Sequence, residues 1–214
     1  VSHVSKSDRI IDVGCGIGIL ALALKNLGFD VCGVDKYVFE PKNSYNVSDI
    51  DGLKKIWERN KLNISSGDVL SGPDGRKFDV VVSVAVIEHQ RYLRNFIENL
   101  LSFVGSGGKV YVATPNVSNL LNRFRMFFGR APMANVEAFY INGESFNGHW
   151  REYNPHELKV IAKSANTKVI EVGAKQTTKP HFSKDFKKWH VSLFRMLAYI
   201  IPGTGDTSYI WIQK

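Results

Sequence analysis

Residues 10–24 read Ile-Ile-Asp-Val-Gly-Cys-Gly-Ile-Gly-Ile-Leu-Ala-Leu-Ala-Leu. A buried strand from Arg9 to Val13 runs into a glycine-rich turn, and a helix opens at once over 19–27, with Gly28 placed to end it. Glycine lacks a Cβ, so such a turn lets backbone N–H groups and a helix N-terminus come close to a nucleotide-like ligand. The spacing separates two ligand classes. A dinucleotide fingerprint, Gly-x-Gly-x-x-Gly, would need its third glycine at position 19, which is Ile19. Here the glycines are Gly14, Gly16 and Gly18, with Asp12 two residues ahead of the first, which argues against a nicotinamide enzyme.

Working outward, Asp30 to Asp35 reads as a second strand ending in an acid, and strand–helix alternation predicts a doubly wound α/β sheet. Ser48 with Asp51 suggests a capping box for a helix to about Asn60. A short third strand is expected from Ile64 to Val69, followed by turn residues at 71–75. Residues 78–86 are nearly all apolar, as a central strand covered on both faces requires. Leu93, Phe96, Ile97, Leu100 and Leu101 recur at helical spacing up to about Val104. The glycines at 105–108 then break the pattern before a fifth strand, Lys109 to Ala113. Asn154-Pro155-His156-Glu157 has the form of an N-cap, a first-turn proline and a capping-box glutamate, starting a helix to about Ala165. Two last strands are expected at 167–173 and 209–213.

The 214 residues suit one domain with a sizeable core, and no run is long and apolar enough to span a bilayer. No signal-peptide pattern opens the chain. Cys15 and Cys32 fall in core elements, which fits reduced thiols and predicts a cytoplasmic protein. The net charge is +8, and Lys175, Lys179, Lys184, Lys187 and Lys188 stand against Asp185 alone in their segment. That patch either meets an anionic partner or keeps the surface solvated.

The turn at 12–18, the strand-end acid Asp35, Gly67-Asp68-Val69 and Val86-Ile87-Glu88-His89 together resemble the class I S-adenosylmethionine (SAM) dependent methyltransferases. The subgroup they are most similar to is the small-molecule O-methyltransferases of the ubiquinone-biosynthesis type. His149-Trp150-Arg151-Glu152-Tyr153, ahead of the Asn-Pro-x-Glu helix start, resembles members linked to glycan or lipid clusters. The resemblance implies one domain over 1–214, with seven strands and the last inserted antiparallel beside the fifth. Residues 115–153 and 175–207 would be insertions or lid segments. Only eight residues precede Arg9, so the helix that usually covers the cofactor is expected to be missing, and the stretch after Asp35 is less regular than the family's second helix.

The resemblance also implies a cofactor site. Gly14, Gly16 and Gly18 would take the ligand on their backbone, and Asp12 would orient either the turn or the ligand's ammonium. Asp35, with Lys36 after it, would accept the ribose hydroxyls. Asp68 and Val69 would flank the adenine, and Val84 and Ala85 would line the floor. Methyl transfer is an in-line displacement, so placing the nucleophile matters most. An oxygen nucleophile must also lose a proton, which makes His89 the candidate base and His149 a second candidate catalytic residue. The alternative is that Glu88 and His89 cap the next helix or fix its loop. Two ligands do not make a metal site, so no metal is expected. Arg151 and Tyr153 either close over the acceptor or pin their loop.

Residues 120–133 carry Leu120, Leu121, Phe124, Phe127 and Phe128 with Arg123, Arg125 and Arg130, and residues 189–201 are a second apolar segment behind the lysines. Basic amphipathic helices suit either an anionic membrane surface or a lid over a lipid-like acceptor. They equally suit packing on the sheet or on a second subunit. The expected activity is methyl transfer from SAM to a hydroxyl of a small or lipid- or glycan-linked molecule. The other readings are a nucleic-acid methyltransferase and a non-catalytic membrane-associated relative. Against the first, Ser83-Val84-Ala85-Val86 lacks the Asn/Asp-Pro-Pro-aromatic run used on base amines.

Overall fold

A computed structural model describes residues 3–36, 50–68, 75–132, 136–143, 148–179 and 186–214, with side chains from 191 in the last stretch. Seven strands form one sheet: β1 (Arg9–Val13), β2 (Asp30–Asp35), β3 (Asn63–Ser66), β4 (Phe78–Val84), β5 (Val104–Pro115), β6 (Lys168–Lys175) and β7 (Thr207–Gln213). Their order is β3-β2-β1-β4-β5-β7-β6. The first five neighbours pair in parallel, and β7 runs antiparallel to both β5 and β6.

The helices are α1 (Ile19–Asn26), α2 (Ile50–Arg59), α3 (Leu93–Phe103), α4 (Leu120–Phe127), α5 (Val136–Asn142), α6 (Pro155–Ser164) and α7 (Phe186–Ala198). Strand side chains alternate between faces, which is why the central strands are apolar throughout. Ile11, Val81, Val110 and Ile212 join Phe96 and Leu100 of α3 and Leu158 of α6 in one core. Ile10, Val80, Val82 and Trp211 join Ala21 of α1 and Trp57 of α2 in the other. From β1 the chain winds outward through β2 and β3, then returns to β4 on the other side of β1. The sheet's topological switch point therefore lies between β1 and β4, and open α/β sheets bind ligands at the carboxyl ends of such strands.

Several expected boundaries move. β3 stops at Ser66, and β4 ends at Val84, because Ala85 takes a left-handed φ of 57° and the chain turns into a single 3-10 turn at Ile87–His89. No glycine break separates α3 from β5; the strand begins at Val104 and carries the glycines as its outer end. The capping box at Asn154 and Glu157 forms as expected, while Ser48 and residues 71–74 lie outside the described residues. Both cysteines are free thiols. Among the described residues no helix is long and apolar enough to cross a membrane.

Candidate active site at the carboxyl edge of the sheet

The loop after β1 is built by its alternating glycines. Gly14, Gly16 and Gly18 all hold left-handed φ values, 78°, 55° and 84°, which L side chains rarely adopt. A Cβ on Gly14 would drive into Val86, and one on Gly18 into Ile64, so neighbouring chain closes on the loop at both ends. The N–H groups of Gly14 and Cys15 donate to the Val34 carbonyl at 2.8 and 3.2 Å. Trp57 Nε1 donates to the Ile17 carbonyl at 3.1 Å, and Ser83 Oγ to the Val13 carbonyl at 2.8 Å. The second strand, α2 and β4 thus each hold one part of the loop. Neither Trp57 nor Ser83 is marked by any sequence motif.

Asp12 and Asp35 lie buried beneath it, each 2% exposed. Asp35 Oδ2 accepts the Gly16 N–H at 2.9 Å, so this carboxylate also shapes the loop. Asp12 Oδ2 has no hydrogen-bond partner. Burial, and then the charge of Asp35, push the Asp12 carboxyl up to about 7. Lys36 Nζ pairs with Asp68 Oδ2 at 3.3 Å, which ties the end of β2 to the residues after β3. Val84 and Ala85 stay exposed at the end of β4, while Val69 lies outside the described residues. The Cys15 thiol, within the same loop, is pushed up by burial, which disfavours the reactive thiolate.

Beyond Ala85, Glu88 is fully buried and its Oε2 accepts the Thr114 hydroxyl at 2.9 Å. Burial raises its carboxyl above the usual range. The Glu88 carbonyl also accepts the Trp150 N–H at 2.8 Å, which brings the 148–153 loop onto the 3-10 turn. His89 and His149 meet edge to face, with ring centroids 4.9 Å apart. His89 Nδ1 bonds the Gly148 carbonyl at 3.1 Å, and His149 Nδ1 bonds Glu152 Oε1 at 2.9 Å. Arg151 donates to Glu157 Oε1 at 2.6 Å, and Tyr153 is buried in the core, so both pin the loop. Arg91 stacks over Trp150 at 3.8 Å and adds to that anchorage.

The two amphipathic segments pack on each other: Phe124 of α4 and Phe194 of α7 have ring centroids 5.0 Å apart. Arg123 and Arg125 are spent locally, the first on the Ser118 and Gly203 carbonyls and the second on Asn122 Oδ1. Asn116, fully buried, donates to the Gly203 and Gly205 carbonyls and ties the start of the first segment to the end of the second. Sequence reading gave no signal for Thr114 or Asn116. Phe127, Phe128, Tyr140 and Ile200 remain at 82%, 62%, 87% and 74% exposure. Lys184, Lys187 and Lys188 have no described side chains.

Comparison with known proteins agrees with this layout. The sequence model of the methyltransferase domain family matches residues 4–172. The chain is 29% identical to a ubiquinone biosynthesis O-methyltransferase of Pelagibacter ubique, over 98% of this chain and 75% of that protein. A protein of the same name from Coxiella burnetii is 31% identical over 78% of this chain and 66% of its own length. Among solved structures, the 1,6-didemethyltoxoflavin-N1-methyltransferase of Burkholderia thailandensis, with S-adenosylhomocysteine bound, superposes with a TM-score of 0.61 at 13% identity. That match covers 100% of this chain and 73% of the other, and at such identity it speaks for the fold alone.

Proposed function

The chain belongs to the methyltransferase domain family, whose methyl donor is SAM, and from that premise we propose transfer of the sulfonium methyl to a hydroxyl of a small or lipid- or glycan-linked acceptor. The observation that carries the reading is Asp12 Oδ2, a buried carboxylate oxygen with no partner beneath a loop of three left-handed glycines. SAM carries an ammonium group that would supply the missing partner and lower the cost of burying the charge. Gly14, Gly16 and Gly18 would meet the ligand through their backbone. Asp35 would orient the ribose, since a carboxylate has acceptor capacity beyond its bond to Gly16. Lys36 and Asp68 would border the adenosine, and exposed Val84 and Ala85 would form the floor.

For the acceptor, the Gly148 carbonyl can only accept, so His89 Nδ1 holds the proton and Nε2 keeps a lone pair. That lone pair is the one to receive the hydroxyl proton as the oxygen–carbon bond forms and the carbon–sulfur bond breaks. His149 would fix the His89 ring by their edge-to-face contact. The names of the relatives favour an oxygen acceptor. The test is incubation with methyl-labelled SAM and a panel of phenolic and lipid-linked alcohols. Label in an ether product is expected; SAM binding with no product from any acceptor would favour the non-catalytic reading.

The exposed side chains of Phe127, Phe128, Tyr140 and Ile200 support a second element of the reading, contact of this edge with an anionic membrane surface that carries the acceptor. Flotation with anionic liposomes should show salt-sensitive binding. Absence of binding at low salt would remove this element and leave the acceptor soluble.

A further inference from the structure

Helices α4 and α7 meet through Phe124 and Phe194, yet the seam between them is not filled. A cavity of about 170 Å³ lies there, lined by Leu120 and Leu121 of α4 and by Val191, Phe194 and Ala198 of α7. Close-packed interiors keep few voids larger than a water molecule, so this is more than a packing defect. An apolar cavity of about 150 Å³ holds one benzene ring, so the space suits roughly six carbon atoms. Leu120, Leu121, Val191 and Phe194 are each half-buried, and the cavity opens to solvent.

The polar groups of the lining are mostly spent. Asp206 Oδ2 accepts the Gln176 side-chain amide and the Thr178 N–H, both at 2.9 Å, and Oδ1 accepts the Thr177 N–H at 2.8 Å. The Thr204 hydroxyl donates to the Ile201 carbonyl at 2.7 Å, and Asn119 Oδ1 caps α4 by accepting the Asn122 N–H at 2.9 Å. Arg195 differs. It lines the cavity half-buried and, among the described residues, makes no hydrogen bond or ion pair. Arg123 and Arg125 of the facing helix are by contrast satisfied by the Ser118 and Gly203 carbonyls and by Asn122. Mostly apolar walls with one unneutralised cation fit a ligand that has an apolar chain and an anionic head.

We propose that this cavity binds a single-chain carboxylate of the fatty-acid kind, its head on Arg195 and its chain in the seam between α4 and α7. A guanidinium holds a carboxylate through two parallel N–H···O bonds. One unpaired cation also balances one negative charge. A phosphate dianion would leave a charge over beside Asp206 in the same lining, and an uncompensated charge in a half-buried site is costly. The cavity stands apart from the glycine loop. Pro115, Thr207 and Lys175 are register partners where β5 ends, β7 begins and β6 ends, and the lining comes from the segments next to them. Binding here therefore does not rest on the methyl-transfer reading.

The test is calorimetric titration with decanoate below its micellar range, with decanol, decyl phosphate and acetate as comparisons. One decanoate per chain is expected, bound at least about 10-fold more tightly than decanol because the head is charged. Arg195→Gln should weaken decanoate by at least about 10-fold and leave decanol unchanged. Leu121→Trp should fill the seam and remove both. Circular dichroism and the thermal midpoint report whether each variant is folded. No stoichiometric binding of decanoate, or unchanged binding by folded Arg195→Gln, would overturn the proposal. Decyl phosphate binding as tightly as decanoate would overturn the assignment to a carboxylate, and acetate binding as tightly would overturn the role of the seam.

Discussion

The two halves of the site are made differently. On the proposed donor side, between β1, β2 and β4, the loop is held by backbone conformation: three left-handed glycines, two N–H groups on the Val34 carbonyl and one on Asp35. On the proposed acceptor side, beyond β4 and β5, the site is held by side chains from distant segments. There Glu88, His89 and His149 meet. One molecule recurs as donor, and a backbone cradle suits it. Acceptors differ in shape, and side chains on loops can change with them without disturbing the sheet.

The largest effect that would sharpen this contrast is expected at His89. His89→Ala should lower kcat about 10²–10⁴-fold with SAM affinity unchanged, as loss of the proposed proton acceptor would. Equal loss of SAM binding would erase the division between the halves. Next is Asp12, whose folded-state carboxyl sits at about 7 against 3.8 ordinarily. The folded state then holds the proton more tightly, so Asp12 costs stability increasingly as pH rises from about 4 to 7. Asp12→Asn should therefore stabilise the ligand-free protein, by more at pH 8 than at pH 5, in paired denaturant titrations. In the parent chain the stabilisation by SAM should also be larger at pH 8, because the ammonium meets a charged carboxylate.

Gly18→Val should cost about 2–3 kcal/mol, from the left-handed φ and the clash with Ile64, and should abolish SAM binding. Unchanged affinity would show that the loop conformation is dispensable. The smallest effect on the fold belongs to the acceptor edge. Phe127→Ser should move stability by no more than about 0.5 kcal/mol while reducing liposome binding. A large loss of stability there would mean that the edge is buried in an assembly.

The glycine loop was legible because backbone requirements leave local marks. Glycines at alternate positions, an acid at the end of β2 and the capping box at Asn154 each show within a few consecutive residues. Strand ends were less legible: Ala85 turns left-handed and closes β4 early, although alanine has no preference for that conformation. The glycines at 105–108 looked like a break, yet the antiparallel partner β7 holds the rest of β5 and its outer end simply continues the strand. The acceptor half was least legible. Its defining contacts, Thr114 to Glu88 and His149 to His89, join positions far apart in the chain, and no local pattern announces them.

The central claim is that the glycine loop with Asp12 and Asp35 holds SAM, and thermal denaturation with SAM, S-adenosylhomocysteine, NAD and no ligand tests it most directly. A ligand that binds only the folded state raises the midpoint. The account predicts a rise with the two sulfur nucleosides, none with NAD, and loss of the rise in Asp35→Ala. No shift with either sulfur nucleoside, or a shift with NAD alone, would contradict it.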